Sequence, residues 1–443
     1  MTRVPDQTAQ TQRLIGSAQA TQPGPTLILI GGLHGNEPAG VTAAADVVGA
    51  LASDTLRIGR VAAYRGNLMA LAAAGEPIGA GRRYLDIDLN RAFTPDRLAS
   101  VRAAPDAERT AESRELLELS AAIEREVRSA RGPVYLLDLH TFSSPGPAFI
   151  HTEDSLVQRD FARASAVPLI LGFEEELTGV MIHWASKELG VIGAIFAAGV
   201  HHDGATVAVH RAAIAITLDR LGMARADDIS PDDPHAIVSA AAGGRDGHVY
   251  DIRHRHAVGE HRFKMHEGMV GFSPVRAGRT PIATEAERPV HSPVSGRLFM
   301  PNRQEEIRDG DDGFFVVHRV GAIWLTLSAK LRQSDRLHRL LPVLLPGVRA
   351  HPTRSAALIV SPEIALVLKR QMFHLLGYRL ERRGPEVHLS PVSRLAAAIV
   401  TAGQSALHLL TGRWRRAEAE SPGDWIVVRH VLDLSPRDRA KGS

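Results

Sequence analysis

The stretch LILIGGLHGNEPAG, residues 27–40, ends an apolar run in two glycines and then sets His34 and Glu37 three residues apart. An imidazole and a carboxylate at that offset can ligate a metal, cap a helix or sit on a solvated surface. If the chain turns helical near Asn36, the offset puts both side chains on one side. A second histidine stands in a similar setting, where YLLDLHTFSS (135–144) runs off a strand-like stretch at His140. Strand alternation puts Asp138 and His140 on one face and Leu139 on the other. Two neutral imidazoles and one carboxylate are the protein ligands of many catalytic zinc sites, whose fourth position stays open for water. Zinc lowers the pKa of such a water to about 7 and polarises a carbonyl. Taken singly, each piece has a plainer reading: surface chemistry for His34 and Glu37, a hydrogen-bonded core histidine for His140.

A third constellation lies between them. GRRYLDIDLNRAF (81–93) brings Arg83, Asn90 and Arg91 close together. Arginine and asparagine side by side make a planar, charge-assisted clamp for a carboxylate, and an arginine can stabilise the oxyanion of a tetrahedral intermediate. The competing reading is a surface loop whose arginines pair with Asp86 and Asp88.

These residues need elements to position them. Strand-like runs at Thr26–Ile30, Arg60–Tyr64, Val134–Leu139, Val167–Leu171 and Val191–Ala198 alternate with helical patterns. The helical stretches are Val41–Leu51 behind Pro38, Ala107–Ala130 with Leu116, Leu117, Ile123 and Val127, and a later helix marked by Val207, Ile214, Leu218 and Leu221 and closed by Gly222. The fold class expected is α/β, with a mainly parallel or mixed sheet flanked by helices, a smaller all-β domain after it and a C-terminal α/β extension. In an open parallel sheet, ligands bind beyond the carboxyl ends of the strands, which is where His34 and His140 fall. A domain boundary is expected near residue 230, in the Asp- and Pro-rich ARADDISPDDPHA. The domains are then 1–230, a β-sandwich-like module over 240–330, and 331–443, which carries no motif.

Composition narrows the classes. The 443 residues are too many for one ordinary domain. Lys plus Arg number 52 against 49 Asp plus Glu, so bulk charge calls for neither nucleic acid nor an acidic membrane. With no cysteine, disulfides and thiolate ligands are excluded, and any metal must be held by His, Asp or Glu. No apolar run reaches the roughly 18–20 residues of a membrane span, and the N-terminus lacks a secretory pattern, so a cytoplasmic protein is expected.

GGLHGNEPAG, RRYLDIDLNRAF and DLHTFSS, in this order and at these separations, resemble the succinylglutamate desuccinylase/aspartoacylase family of the zinc carboxypeptidase-like superfamily. The likeness covers roughly residues 25–222, and the following β module is similar to that family's second domain. It implies that His34, Glu37 and His140 bind one zinc ion per chain, that Asn90 and Arg91 grip a substrate carboxylate, and that Arg83 assists the scissile carbonyl. The reaction it implies is hydrolysis of a small N-acyl amino acid or related amide. The family places a general-base glutamate at the end of a late strand. In the matching stretch, IGAIFAAGVHHDGATVAVHRAAI (192–214), that position is Ala197.

Three explanations follow. Ala197 replaces a glutamate and silences an otherwise intact enzyme; the chain is a natural pseudoenzyme; or another group serves as base, from His201, His202, Asp203 and Glu174 to Glu176. The leading expectation is a zinc-dependent amidohydrolase silenced at Ala197, with no nucleic-acid or membrane partner. A metallocarboxypeptidase and a zinc-containing binding protein are the alternatives. The last hundred or so residues leave pocket closure, a homo-oligomer contact and recognition of a larger substrate equally open.

Overall fold

A computed structural model describes residues 12–51, 55–73, 82–201, 203–230, 232–259, 262–303, 307, 309–345, 348–354, 356–361, 370–382 and 425–434. The chain forms two compact units, Met1–Glu153 with Gln158–Arg319, and Asp154–Val157 with Val320–Ser443. The basic run at Arg413, Arg415 and Arg416 lies outside the described residues.

The first unit is built on a mixed sheet. Its first eight strands are β1 (Leu14–Gln19), β2 (Thr26–Gly31), β3 (Arg60–Arg65), β4 (Val134–Phe142), β5 (Phe149–His151), β6 (Leu169–Leu171), β7 (Ile192–Val200) and β8 (Val249–Ala257). They are followed by β9 (Lys264–Met265), β10 (Pro274–Val275), β11 (Pro281–Glu285), β12 (Arg288–His291), β13 (Gly296–Phe299) and β14 (Asp312–Val320). The main sheet runs β1-β3-β2-β4-β7-β5-β6-β8-β14-β13-β10. Its centre, β3-β2-β4-β7, is parallel, while β1, β5 and the β13–β14 and β10–β13 pairs are antiparallel. A separate three-stranded sheet has the order β12-β11-β9. Within 240–330, read from the sequence as a small all-β module, residues 249–320 supply four strands to the main sheet and three to the small one.

β2 is TLILIG, buried at every position rather than at alternate ones. A strand covered by helices on both faces has that pattern. One cover is the helix Ala111–Ser129, whose buried Leu116, Leu119 and Ile123 recur at helical spacing and meet Ile28, Ile30 and Leu136. Leu119 takes the inward place expected for Leu117, which is only half-buried.

The other cover begins with the helix Ala39–Ala50, which starts three residues later than an Asn36 start requires. Its first turn lies almost on the strand ends. A Cβ added at Gly31 would come 2.5 Å from the Gly40 carbonyl carbon, and one at Gly40 would come 2.6 Å from Leu139 Cβ. Both glycines are needed for close approach rather than for unusual dihedrals. Among the described residues no helix is long and apolar enough to cross a membrane.

The second unit holds a four-stranded antiparallel sheet of β15 (Val348–Ala350), β16 (Ala357–Val360), β17 (Tyr378–Arg382) and β18 (Trp425–Arg429), in the order β15-β16-β18-β17. Val360, Phe373, Tyr378 and Val427 are part of its core. Asp154 is buried there between two guanidinium groups, 2.8 Å from Arg332 Nη2 and 3.0 Å from Arg379 Nε. A buried carboxylate persists only when paired in this way.

The strand–helix approach is testable. Gly31→Ala is expected to cost about 1–3 kcal/mol by overpacking, read as a lower urea midpoint at unchanged slope. An unshifted midpoint would show that the helix start relaxes freely.

Candidate functional site

β2 and β4 are parallel neighbours, with Gly31 beside Leu139. The chain leaves β2 for β3 on one side, while β4 and β7 lie on the other. That reversal of strand order opens a crevice at the carboxyl ends. Gly32, at φ +69°, turns the chain out of β2 into it.

His34, Glu37 and His140 meet in the crevice, all buried. The turn that joins the first two is fixed by the Glu37 amide, which donates to the His34 carbonyl at 3.1 Å. His34 Nδ1 lies 2.8 Å from Glu37 Oε1, and His140 Nδ1 lies 3.1 Å from Glu37 Oε2. The opposite ring nitrogens also face carboxylates: His34 Nε2 is 3.2 Å from Asp88 Oδ1, and His140 Nε2 is 2.8 Å from Asp138 Oδ2. Asp138 and His140 do share one strand face. A carboxylate on Nε2 fixes ring orientation and tautomer, which turns the Nδ1 lone pair inward. One ligand atom from each of the three residues lies within 4.8 Å of the others.

Electrostatics point the same way. Burial raises the pKa of Glu37, but His34 and His140 outweigh it and hold the carboxyl well below its usual range. Burial likewise raises Asp88, and Arg83 and His34 bring it well below. Burial lowers His140, while Asp138 and Glu37 lift it to about 10. Carboxylates surround these imidazoles closely enough that the centre favours a cation. The oxygen and nitrogen donors, with no thiolate, suit a borderline divalent metal.

His210 belongs to the support as well, and the sequence reading missed it. Its Nε2 donates to the His140 carbonyl at 3.0 Å, and burial first of all pushes its pKa down to about 4. A histidine inside the otherwise mostly apolar run VAVHRAAI, next to Arg211, was the available signal.

The Arg83–Arg91 segment is held from below. Buried Glu112 accepts from the amides of Leu85 and Asp86 at 2.7 and 2.8 Å, and from Asn67 Nδ2 at 3.1 Å. Asp86 returns the bond by accepting from the Ala111 amide. Asp88 caps the short turn Leu89–Arg91 through the Asn90 amide. Arg83 donates to Asp88 at 2.9 Å and lies 3.6 Å from Glu37. Arg91 meets Asp312 at 2.7 Å, and Arg255 meets the same carboxylate at 2.5 Å. Asn90 is buried, and its Oδ1 accepts from the Met181 amide at 2.9 Å. The ion pair between Arg83 and Asp88 is thus formed, and the same arginine also reaches the His34–Glu37–His140 cluster.

Ala197 sits on β7 directly beside His140 on β4, and directly beside Phe149 on β5. Register partners share a sheet face, so its Cβ is on the face of His140. It packs in a cluster with Phe149, Phe272 and Phe299. Of the other groups considered as a base, His201 lines the cavity above the cluster, with Nδ1 2.6 Å from Thr141 Oγ1. Asp203 instead accepts from the Ala205 amide, and Glu174 from that of Gly172. Neither Asp203 nor Glu174 to Glu176 lines the cavity. His202 lies outside the described residues.

The cavity measures about 230 Å³. Arg83, Asp88, Arg91 and Thr141 form its polar side, and Phe142, Phe149, Phe272 and Phe299 part of its apolar side.

Residues 23–199 match the family model for the succinylglutamate desuccinylase/aspartoacylase catalytic domain. Among solved structures, a succinylglutamate desuccinylase from Vibrio cholerae is similar at 13% identity and TM-score 0.50, covering 68% of this chain and 83% of that one. A succinylglutamate desuccinylase/aspartoacylase from Rhodobacter sphaeroides aligns at 18% identity and TM-score 0.49, covering 69% and 88%. The product-bound ectoine utilization protein EutE (DoeB) from Ruegeria pomeroyi aligns at 16% and 0.49, covering 68% and 87%. At these identities the likeness is one of fold. No curated protein matches the chain in sequence.

If the cluster holds a divalent metal, Asp138→Asn is expected to keep the fold but weaken the binding of added Zn²⁺ about 10–100-fold, the usual effect of removing a ligand's outer partner. Competition titration against a chelator measures this. Unchanged affinity would mean that the His140 Nε2 contact does not orient the ring.

Proposed function

We propose that this chain, whose residues 23–199 belong to the succinylglutamate desuccinylase/aspartoacylase catalytic-domain family, is a zinc-dependent amidohydrolase of the cytoplasm, silenced at position 197. The family is one of deacylase-type hydrolases acting on small molecules. The substrate class is a small N-acyl amino acid or a related amide with a free carboxylate. One observation carries the reading: two imidazoles, each backed by an aspartate, turn their Nδ1 atoms onto the single carboxylate of Glu37. A zinc ion there supplies Lewis acidity for the amide carbonyl and a water of lowered pKa.

The chain's own residues divide the remaining work. Arg83, beside Glu37, faces the place where negative charge grows on the carbonyl oxygen. Arg91 offers its guanidinium to the substrate carboxylate, and Asn90 holds that turn in position. Residues 1–230 supply the catalytic part. Residues from 240–330 narrow access, since Arg255, Phe272, Phe299 and Asp312 line the cavity. A cavity of about 230 Å³ favours a small amide over a peptide, which needs a long open groove.

The proton acceptor is the missing part. Ala197 stands beside His140 with no group to take a proton from the attacking water. Losing a general base costs on the order of 10²–10⁴ in rate. A second reading has its own support: His201 lines the cavity and, with Thr141, supplies an imidazole that could act as base.

A side-by-side assay of zinc-loaded protein and its Ala197→Glu variant on N-acyl amino acids separates these. A gain of about a hundredfold or more places the base position at 197. Equal activity in both, lost in His201→Ala, moves the base to His201. Inactivity of both with retained ligand binding leaves a zinc-containing binding protein.

A further inference from the structure

We infer that the cavity selects an N-acyl amino acid bearing one carboxylate and a bulky, apolar, aromatic-sized acyl group, and disfavours multiply charged acyl amino acids. The inference rests on the deacylase reading and deepens it. Two observations carry it, one from packing and one from charge.

The packing observation begins at position 197. Across the sheet, His140, Ala197 and Phe149 lie side by side on one face. Beyond the alanine methyl group the wall is aromatic. Phe149 stacks on Phe142 at 5.3 Å between centroids and meets Phe299 edge-on at 4.6 Å. Phe272 meets Phe299 edge-on at 5.8 Å. All four rings line the cavity. A ring or branched alkyl group entering here meets the half-buried Phe142, with the buried Phe149, Phe272 and Phe299 packed behind it as an apolar wall. A carboxylate entering here loses its hydration without a partner.

The charge observation concerns what is left for a ligand. The cations lining the cavity, among the described residues, are Arg83, Arg91 and Arg255, apart from His201. Arg83 is matched by Asp88. Arg91 and Arg255 share the single carboxylate of Asp312, so neither guanidinium has a carboxylate to itself. That shared pair suits one ligand carboxylate, and with Asp311 counted the three lining arginines meet three aspartates. Asp311 also lines the cavity and opposes a second. Arg245 stands 5.2 Å from the Phe272 ring centre but does not line the cavity. Arg255 is thereby assigned as a binding residue beside Arg91, and Phe142 and Phe149 as residues that set acyl specificity.

Calorimetric titration of the zinc-loaded chain with N-benzoylglycine, N-acetylglycine, N-acetylaspartate and N-succinylglutamate tests this without turnover. N-benzoylglycine is expected to bind about ten- to a hundredfold more tightly than N-acetylglycine, the value of burying one ring, and more tightly than either acidic ligand. Phe142→Ala should weaken N-benzoylglycine far more than N-acetylglycine and so shrink the benzoyl advantage. Phe149→Leu, which keeps the wall filled, should reduce it. Arg255→Gln should weaken both monocarboxylates alike. Tighter or equal binding of N-succinylglutamate or N-acetylaspartate overturns the inference and leaves the deacylase reading standing. Failure of all four ligands to bind overturns both.

Discussion

A carboxylate buried as deeply as that of Glu37 must be fully partnered, and the surroundings of the site follow from that demand. One oxygen faces His34, and the other faces His140 and accepts from the Thr141 amide at 2.8 Å. Thr141 lies inside β4, which runs two residues past His140 to Phe142. Glu37 can reach it because the helix Ala39–Ala50 starts on top of Gly31. Each imidazole then needs a second acceptor, and Asp88 and Asp138 provide one apiece. Asp88 in turn draws Arg83 over the cluster. The site is therefore a chain of paired charges in which each member satisfies the one before it.

Such a chain is only as rigid as the loop that carries Arg83 and Asp88. That loop has no sheet to hold it, and the helix Ala111–Ser129 does so with an acidic residue turned inward. Glu112 receives two loop amides, and Asp86 caps the helix in return. Glu115 does the same for the amides of Leu68 and Met69, the next turn along the crevice. Acids on the buried face of an amphipathic helix look like errors of pattern. Here they supply acceptors for loop amides that would otherwise be buried unpaired.

This contrast explains what was legible in the sequence. The strand cores and the His34, Glu37 and His140 cluster could be read because each depends on local order: an apolar run, its end, and a polar residue just beyond. The first helix, expected over Val41–Leu51 behind Pro38, runs Ala39–Ala50 with Pro38 as its cap, and His34 and Glu37 are joined by a turn before it rather than by a helix begun at Asn36. β5 is three residues long, antiparallel to β7 on one side and parallel to β6 on the other, and too short for any periodicity to register. The joining of β8 and β14 to the main sheet depends on pairing between distant residues, which hydropathy does not encode. Arg91 and Asp312 are 221 positions apart, and no spacing rule links them. His210 was hidden for another reason: a buried neutral imidazole holding a backbone carbonyl resembles ordinary core packing.

Position 197 shows how one residue can be read from both directions. A glutamate there would stand between His140 and Phe149. The aromatic side would desolvate its carboxylate and raise the pKa, as a general base working near neutrality needs, while a cationic centre beside His140 would lower it. The same aromatic rings, facing a methyl group instead, are an apolar binding surface with nothing charged to desolvate. The wall of Phe142, Phe149 and Phe299 is thus compatible with either chemistry, and the side chain at 197 decides which one it serves. With alanine in place, the His34, Glu37 and His140 cluster, Arg83 and the aromatic wall surround a position that carries only a methyl group.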